Sequence, residues 1–195
     1  MGAMLRLRIA TSPLWTACVR ADFTTFLQDH AANERKVSQS ALILATHYPE
    51  RPELVDAALE IADEELAHFR QCWELLKARG ATLGFDAPDP YMKLVFAPMR
   101  KKLVDEYLLD RLVAYAIVEA RGCERFGLVA DAFGDDDPLG RFYRDLERSE
   151  ARHHGHYLRL ARLYFPSDAV NERLDTLLDV EADAVRTLPI RPALH

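Results

Sequence analysis

The chain has 195 residues, of which 49% are hydrophobic and 29% charged, a composition that suits one globular domain with ample apolar surface for a core. Its 25 basic residues are outnumbered by 31 acidic ones, giving a formal charge of −6; this excludes a general attraction for nucleic acid and leaves any such contact to a local basic patch. Cys18, Cys72 and Cys123 include no Cys-x-x-Cys pair, which argues against a disulfide framework, a zinc ribbon or a rubredoxin-type iron centre and fits a reducing cytoplasm, and no apolar run approaches the length of a membrane span.

Residues 1–10 lack the apolar core and cleavage site of a secretory signal, Arg6 stands where a myristoylation pattern needs Ser or Thr, and Met4 reads as the natural start. Ser12-Pro13 reads as an N-cap with proline at the first helical position. Leu14, Val19, Phe23, Phe26 and Leu27 then keep helical spacing, so one long helix is predicted to about Thr46. Tyr48-Pro49-Glu50-Arg51-Pro52 breaks it, and a second helix is predicted from about Pro52 to Arg79, ended by Gly80. Up to about Lys102 the pattern loosens around Gly84, Pro88, Pro90 and Pro98, which predicts a long crossover with room for one short helix. A third long helix is expected over about 103–133, a turn from Gly134 to Pro138, and a fourth helix over about 139–165. Ser167-Asp168 is expected to cap a final helix to about Arg186, before an irregular tail marked by Pro189 and Pro192. The prediction is one all-α domain over 1–195, with a four-helix core over about 13–165 and an extra C-terminal helix and tail over about 167–195.

Glu65-Leu66-Ala67-His68 on the second helix returns as Glu150-Ala151-Arg152-His153 on the fourth, and each copy has a glutamate, Glu34 or Glu119, 31 residues upstream. Residues three apart share a helix face, so each Glu-x-x-His aims a carboxylate and an imidazole at one point. One such motif arises easily by chance; two in register with upstream glutamates do not. Four carboxylates and two imidazoles form the donor set of ferritin-like di-iron and di-manganese proteins. Their four charges neutralise two divalent ions, which makes the cluster tolerable in a low-dielectric core, whereas four buried carboxylates without metal would repel one another. An offset of 85 lays residues 34–77 over 119–162 without a gap, matching Ala45 to Ala130, Leu54 to Leu139 and Leu75 to Leu160, so a helical hairpin built twice is predicted.

Carboxylate-rich donors with one imidazole per metal suit two iron ions, with manganese behind. By analogy with the fold class, Glu65 and Glu150 bridge the metals, while Glu34, Glu119, His68 and His153 each bind one. His154 is the rival to His153, but the repeat places Phe69 at the matching position; His156 reads as supporting or solvated, His30 as a helix-surface histidine and His47 as a turn histidine. Ser38 follows Glu34 by one helical turn, as Gly122 and Cys123 follow Glu119; these small residues either leave space for a substrate beside the metals or let helices pack closely. Two redox metals can reduce O2 and serve hydroxylation, desaturation, peroxide removal or iron oxidation, a choice the motif leaves open.

The stretches His30-Ala31-Ala32-Asn33-Glu34-Arg35-Lys36, Glu64-Glu65-Leu66-Ala67-His68-Phe69, Leu76-Lys77-Ala78-Arg79-Gly80, Val118-Glu119-Ala120-Arg121-Gly122-Cys123-Glu124-Arg125-Phe126 and residues 147–153 resemble the tRNA 2-methylthio-N6-isopentenyladenosine hydroxylase family, MiaE. The resemblance spans about 14–165, with no departure at the six ligand positions. It implies a non-haem di-iron monooxygenase that adds one oxygen atom from O2 to a methyl carbon of the isopentenyl group of a hypermodified adenosine beside the anticodon, with electrons from an external reductase. It also implies recognition of the tRNA anticodon loop, whose unpaired bases can splay into a pocket. Candidate phosphate contacts are Lys93, Arg100, Lys101 and Lys102 on the crossover, and Arg121 and Arg125, for which pairing with carboxylates inside the bundle is the alternative. The sequence leaves the oligomeric state open, a monomer included. A rubrerythrin-like peroxidase, disfavoured by the missing Cys-x-x-Cys, and a ferritin-like iron-oxidising or storage protein are the competing functions.

Overall fold

A computed structural model describes residues 5–195, so the expected start at Met4 lies outside the described residues. Seven helices and no strand occur among these residues: α1 Pro13–Ala21, α2 Phe23–His47, α3 Pro52–Ala78, α4 Pro90–Phe96, α5 Val104–Phe133, α6 Pro138–Tyr164 and α7 Ser167–Thr187.

The first predicted helix is two. Asp22 leaves the helical region at φ −138° and ψ 68°, and its side chain accepts a hydrogen bond from the Thr25 amide, capping a fresh helix. The apolar spacing of α1 and α2 hid this break because Trp15 of α1 and Phe26 of α2 still meet edge to face at 5.8 Å. The other boundaries follow the local chemistry. Pro52, Pro90 and Pro138 each open a helix, where the missing N–H costs nothing. Gly80, at φ +68°, ends α3: its amide donates to Lys77 O and that of Ala81 to Leu76 O, the paired bonds of a Schellman motif. The crossover holds one short helix, α4, as expected. At α7 the expected Ser167-Asp168 cap does not form; Pro166 occupies the cap position without a side-chain bond, and Asp168 instead accepts from the Ala169 amide at 2.9 Å.

The chain gathers into two compact units. One comprises Leu14–Pro88 with Ile190–Leu194, and the other the segment before Leu14 with Asp89–Pro189 and His195. Each unit contains one copy of the predicted hairpin. In the first, α2 packs on α3, with Ser38 Oγ donating to Ala62 O across the pair at 2.8 Å. The tail is irregular yet docked there: Trp15 Nε1 donates to Ala193 O, and the Leu194 amide to Asp29 Oδ2. In the second, α5 packs on α6, and α7 packs on α4 and α5. The tight turn between α5 and α6 needs Gly140, where a Cβ would sit 1.9 Å from Gly134 O.

Buried charge organises this second unit. Arg121 is fully buried and directs its five N–H groups to five acceptors: both oxygens of Glu181, Glu124 Oε2, Thr11 Oγ1 and Ile9 O. Asp110, equally buried, accepts from Arg100 and Arg173, whose Nη2 also reaches Pro98 O at 2.7 Å. The two guanidinium groups outweigh burial and hold the Asp110 carboxyl below its ordinary value.

Candidate metal centre

In the α2–α3 hairpin, donor atoms of Glu34, Glu65 and His68 lie within 4.8 Å of one another. Glu34 is 3% and Glu65 1% exposed. His68 Nδ1 stands 3.3 Å from Glu65 Oε2 and 3.6 Å from Glu34 Oε2. Burial alone would raise the Glu34 carboxyl, but hydrogen bonds with Glu65, His30 and His68 bring it down to about 2. Burial likewise disfavours a charged His68, and the facing Glu34 and Glu65 overcome it, raising the imidazole to about 10. The site therefore draws positive charge inward, through a proton on His68 that a bound cation would replace.

In the α5–α6 hairpin the same arrangement recurs. Donor atoms of Glu119, Glu150 and His153 lie within 4.8 Å of one another, all three residues buried, with His153 Nδ1 3.5 Å from Glu150 Oε2. Glu150 Oε2 is buried without a hydrogen bond. A carboxylate oxygen kept from water and from donors, beside a second carboxylate and an imidazole, fits a metal ligand. The duplicated donor sets thus suit divalent metal. His154 is buried next to His153 but belongs to neither three-residue group, and burial lowers its imidazole value.

The remaining candidates divide. Ser38 spends its hydroxyl on Ala62 O, which supports close packing over substrate space. Cys123 is buried, donates to Glu147 O at 3.3 Å, and burial with nearby Glu147 pushes its thiol up to about 12. A cavity of about 320 Å³ does open beside Cys123, but Ile9, Ala120 and Glu147 help to wall it and none of the six donors does. Arg121 has no N–H left for a phosphate. Arg125 is 7% exposed, donates to Thr11 Oγ1, and burial together with Arg121 lowers its guanidinium to about 10. Arg121 thus pairs with interior carboxylates, while Arg125 is buried against the Thr11 hydroxyl. Arg100 is committed to Asp110, whereas Lys93, Lys101 and Lys102 are exposed and carry no ion pair among the described residues.

His30 corrects the sequence reading most sharply. It is fully buried rather than a surface histidine, with Nε2 2.6 Å from Glu34 Oε1. Its spacing of one turn before Glu34 was the available signal. His47 is exposed at the end of α2 as expected.

The helical fold and the duplicated carboxylate–carboxylate–histidine groups define a ferritin-like protein with a metal-carboxylate site. A family model described as tRNA-(MS[2]IO[6]A)-hydroxylase (MiaE) matches residues 3–195, and the chain belongs to this family. It is 37% identical over 158 residues to the tRNA 2-(methylsulfanyl)-N(6)-isopentenyladenosine(37) hydroxylase of Pseudomonas putida, covering 79% of this chain and 74% of the relative. To the protein of the same name from Salmonella typhimurium it is 34% identical over 164 residues, covering 80% of this chain and 56% of that one. Among solved structures it resembles "Protein 43 with aldehyde deformylating oxygenase activity" from Synechococcus, with a TM-score of 0.90 at 34% identity over 98% of this chain and 96% of that one.

Proposed function

We propose that this protein hydroxylates the isopentenyl group of the 2-methylthio-N6-isopentenyladenosine beside the anticodon of tRNA. The reaction consumes O2 and two electrons from an external reductase; one oxygen atom enters a methyl C–H bond, and the other leaves as water with two protons. The observation that carries this reading is the duplicated Glu, Glu, His group, intact in a chain whose named relatives are hydroxylases of that nucleoside. Those names favour hydroxylation over the peroxidase and storage alternatives, and action on tRNA implies the cytoplasm.

Glu34, Glu65 and His68 in one hairpin and Glu119, Glu150 and His153 in the other supply the donors for two irons, Glu34 and His68 serving one and Glu119 and His153 the second. When bound, the irons supply the two-electron activation of O2 that a methyl carbon without an acidic proton demands. The chain's own residues set charge and access. Four carboxylates balance two divalent ions, and their burial keeps water from the donors. Lys93, Lys101 and Lys102 provide the local positive patch for the anticodon-loop backbone, against a net charge of −6. Arg100, tied to Asp110, shapes the crossover on which they stand.

The test is nucleoside mass spectrometry of isopentenyladenosine-containing tRNA after incubation with iron-loaded protein, O2 and a reductant. The mass of one added oxygen on that nucleoside is expected. Iron-loaded protein that consumes O2 and leaves the nucleoside unchanged contradicts the proposal.

A further inference from the structure

The net charge of −6 conceals a face of the opposite sign. On α6, Arg141, Arg148, Arg152, Arg159 and Arg162 are exposed, and Asp145 is the one exposed acid of that helix. Steps of seven, four, seven and three residues keep the five arginines on one side of the helix. At about 1.5 Å per residue they spread over about 32 Å. The opposite, buried side of α6 holds Glu150 and His153. In the same unit α7 exposes Glu172, Asp175, Asp179 and Asp183, so positive charge is segregated onto α6. Helix stability does not account for the arginines. Arg148 and Arg152 lie one turn apart, as do Arg159 and Arg162, and like charges at those spacings oppose a helix. The pair between Arg148 and Asp145 joins side chains 68% and 75% exposed and contributes little. Arg159 and Arg162 form no ion pair among the described residues. Arg141 and Arg152 have local contacts as well, to Asp135 O and Asp136 O in the preceding turn and to Ser149 Oγ.

The repeated hairpin supplies an internal control. The offset of 85 that aligns the donors lays Arg141, Arg148 and Arg159 on Asp56, Asp63 and Glu74, all exposed on α3, and lays Arg152 on Ala67. Of the five positions, the one matched by Lys77 keeps its sign. The same helical hairpin therefore folds with an acidic outer face, and presenting a Glu-x-x-His pair on the inner face does not require arginines on the outer one.

We propose that the arginine face of α6 is the docking ridge for the sugar–phosphate backbone of the tRNA, the anticodon stem included. This rests on the tRNA hydroxylase reading and extends it from the crossover lysines to a second, longer surface. Guanidinium groups bind phosphate oxygens in pairs, and a polyanion laid along the ridge relieves the repulsion between them. A-form stems are held through phosphates and 2′-hydroxyls rather than base edges, which suits a straight row of cations. Between Arg141 and Arg162 the exposed face carries no apolar side chain with which to enter a lipid surface. Because α6 also turns Glu150 and His153 inward, backbone held on its outer side stands in fixed register with those donors.

The experiment measures binding of isopentenyladenosine-containing tRNA to the full, iron-loaded chain at several KCl concentrations, and hydroxylation driven by a chemical reductant, with iron per chain and far-UV circular dichroism as controls. Combining Arg148→Gln, Arg159→Gln and Arg162→Gln should lower the slope of log affinity against log salt by about two to three and raise KM for tRNA, with iron content unchanged. Lysine at the same three positions should restore most of the slope. Combining Arg20→Gln, Arg70→Gln and Lys77→Gln removes the same charge from exposed positions off α6 and should leave the slope nearly as it was. The ridge is overturned if the α6 variant binds tRNA with unaltered affinity and slope, or if the second variant loses as much, which would make net charge the cause. It is also overturned if the α6 variant fails only with an acidic reductase and not with the chemical reductant, or loses binding to phosphatidylserine vesicles while keeping tRNA, results that assign the face to a protein or a lipid. Should the triple variant not fold, Arg159→Gln alone decides: a slope lower by about one supports the ridge, and an unchanged slope overturns it. Hydroxylation by the unaltered protein tests the functional reading separately. Turnover with α6 variants that bind normally removes the ridge alone, and tRNA bound through α6 with its nucleoside unchanged removes the reaction alone.

Discussion

The two helical hairpins carry identical donors at identical spacing and surround them differently. In α2–α3, Glu34 is backed by a histidine and a thiol, and the helices are tied by a neutral contact from Ser38 to Ala62. In α5–α6 the matching positions are a tyrosine pair, and α5 is fixed by charge: Arg121 to Glu181 and Glu124, and Asp110 to Arg100 and Arg173. The difference separates two constraints. The spacing of the candidate donors is the same in both copies, as a shared role in metal binding requires. Nothing in that chemistry dictates how a hairpin is held, so each copy is held by its own means.

Breaking either donor set should have the largest effect. Glu119→Ala and His153→Ala are each expected to abolish paired metal binding and turnover, as are Glu34→Ala and His68→Ala, measured by iron per chain and nucleoside analysis. Full activity in any of the four rejects that residue as a ligand. The next largest effect falls on the α5 unit alone. Arg121→Met or Glu181→Leu leaves a buried charge without its partner and should cost about 3–5 kcal/mol in denaturant unfolding, while the double variant recovers most of the loss. Equal losses in the single and double variants would mean that shape rather than charge governs that contact.

Acidity sharpens the comparison further. Asp110 is held below its ordinary value, so its contribution is present above that value and disappears as pH falls through the folded one. Asp110→Asn should therefore be less stable at neutral pH and should flatten the acid limb of the unfolding curve. His68 is raised, to about 10, so its contribution to the protein without metal is full below its ordinary 6.5 and lost as pH climbs toward 10. Iron loading should abolish that alkaline slope, because a coordinated imidazole has already given up the proton. The smallest effect is expected from Lys93→Ala, Lys101→Ala and Lys102→Ala, each lowering the salt dependence of tRNA binding by about one phosphate contact without altering iron content.

The helix boundaries were legible wherever proline or glycine marks them, as at Pro52, Gly80, Gly134 and Pro138. The break at Asp22 was hidden because the apolar spacing runs through it. Spacing singled out the six candidate donors that the fold gathers into buried groups, since three residues on a helix fix which side chains share a face. What spacing could not reveal is whether a polar side chain faces inward or outward. His30 read as a surface residue because Cys72 reaches it only when α2 packs on α3, and the partner of Arg121, Glu181, lies 60 residues away on α7. Asp110 offered a sharper clue, a carboxylate within the apolar run Leu108-Leu109-Asp110-Arg111-Leu112-Val113.

The most direct test of the central claim, that the two Glu, Glu, His groups hold two irons, is anomalous diffraction at the iron edge from crystals of the iron-loaded protein. Two iron peaks per chain are predicted, one bound by Glu34 and His68 and the other by Glu119 and His153. A single peak, or iron bound away from these residues, would contradict the account.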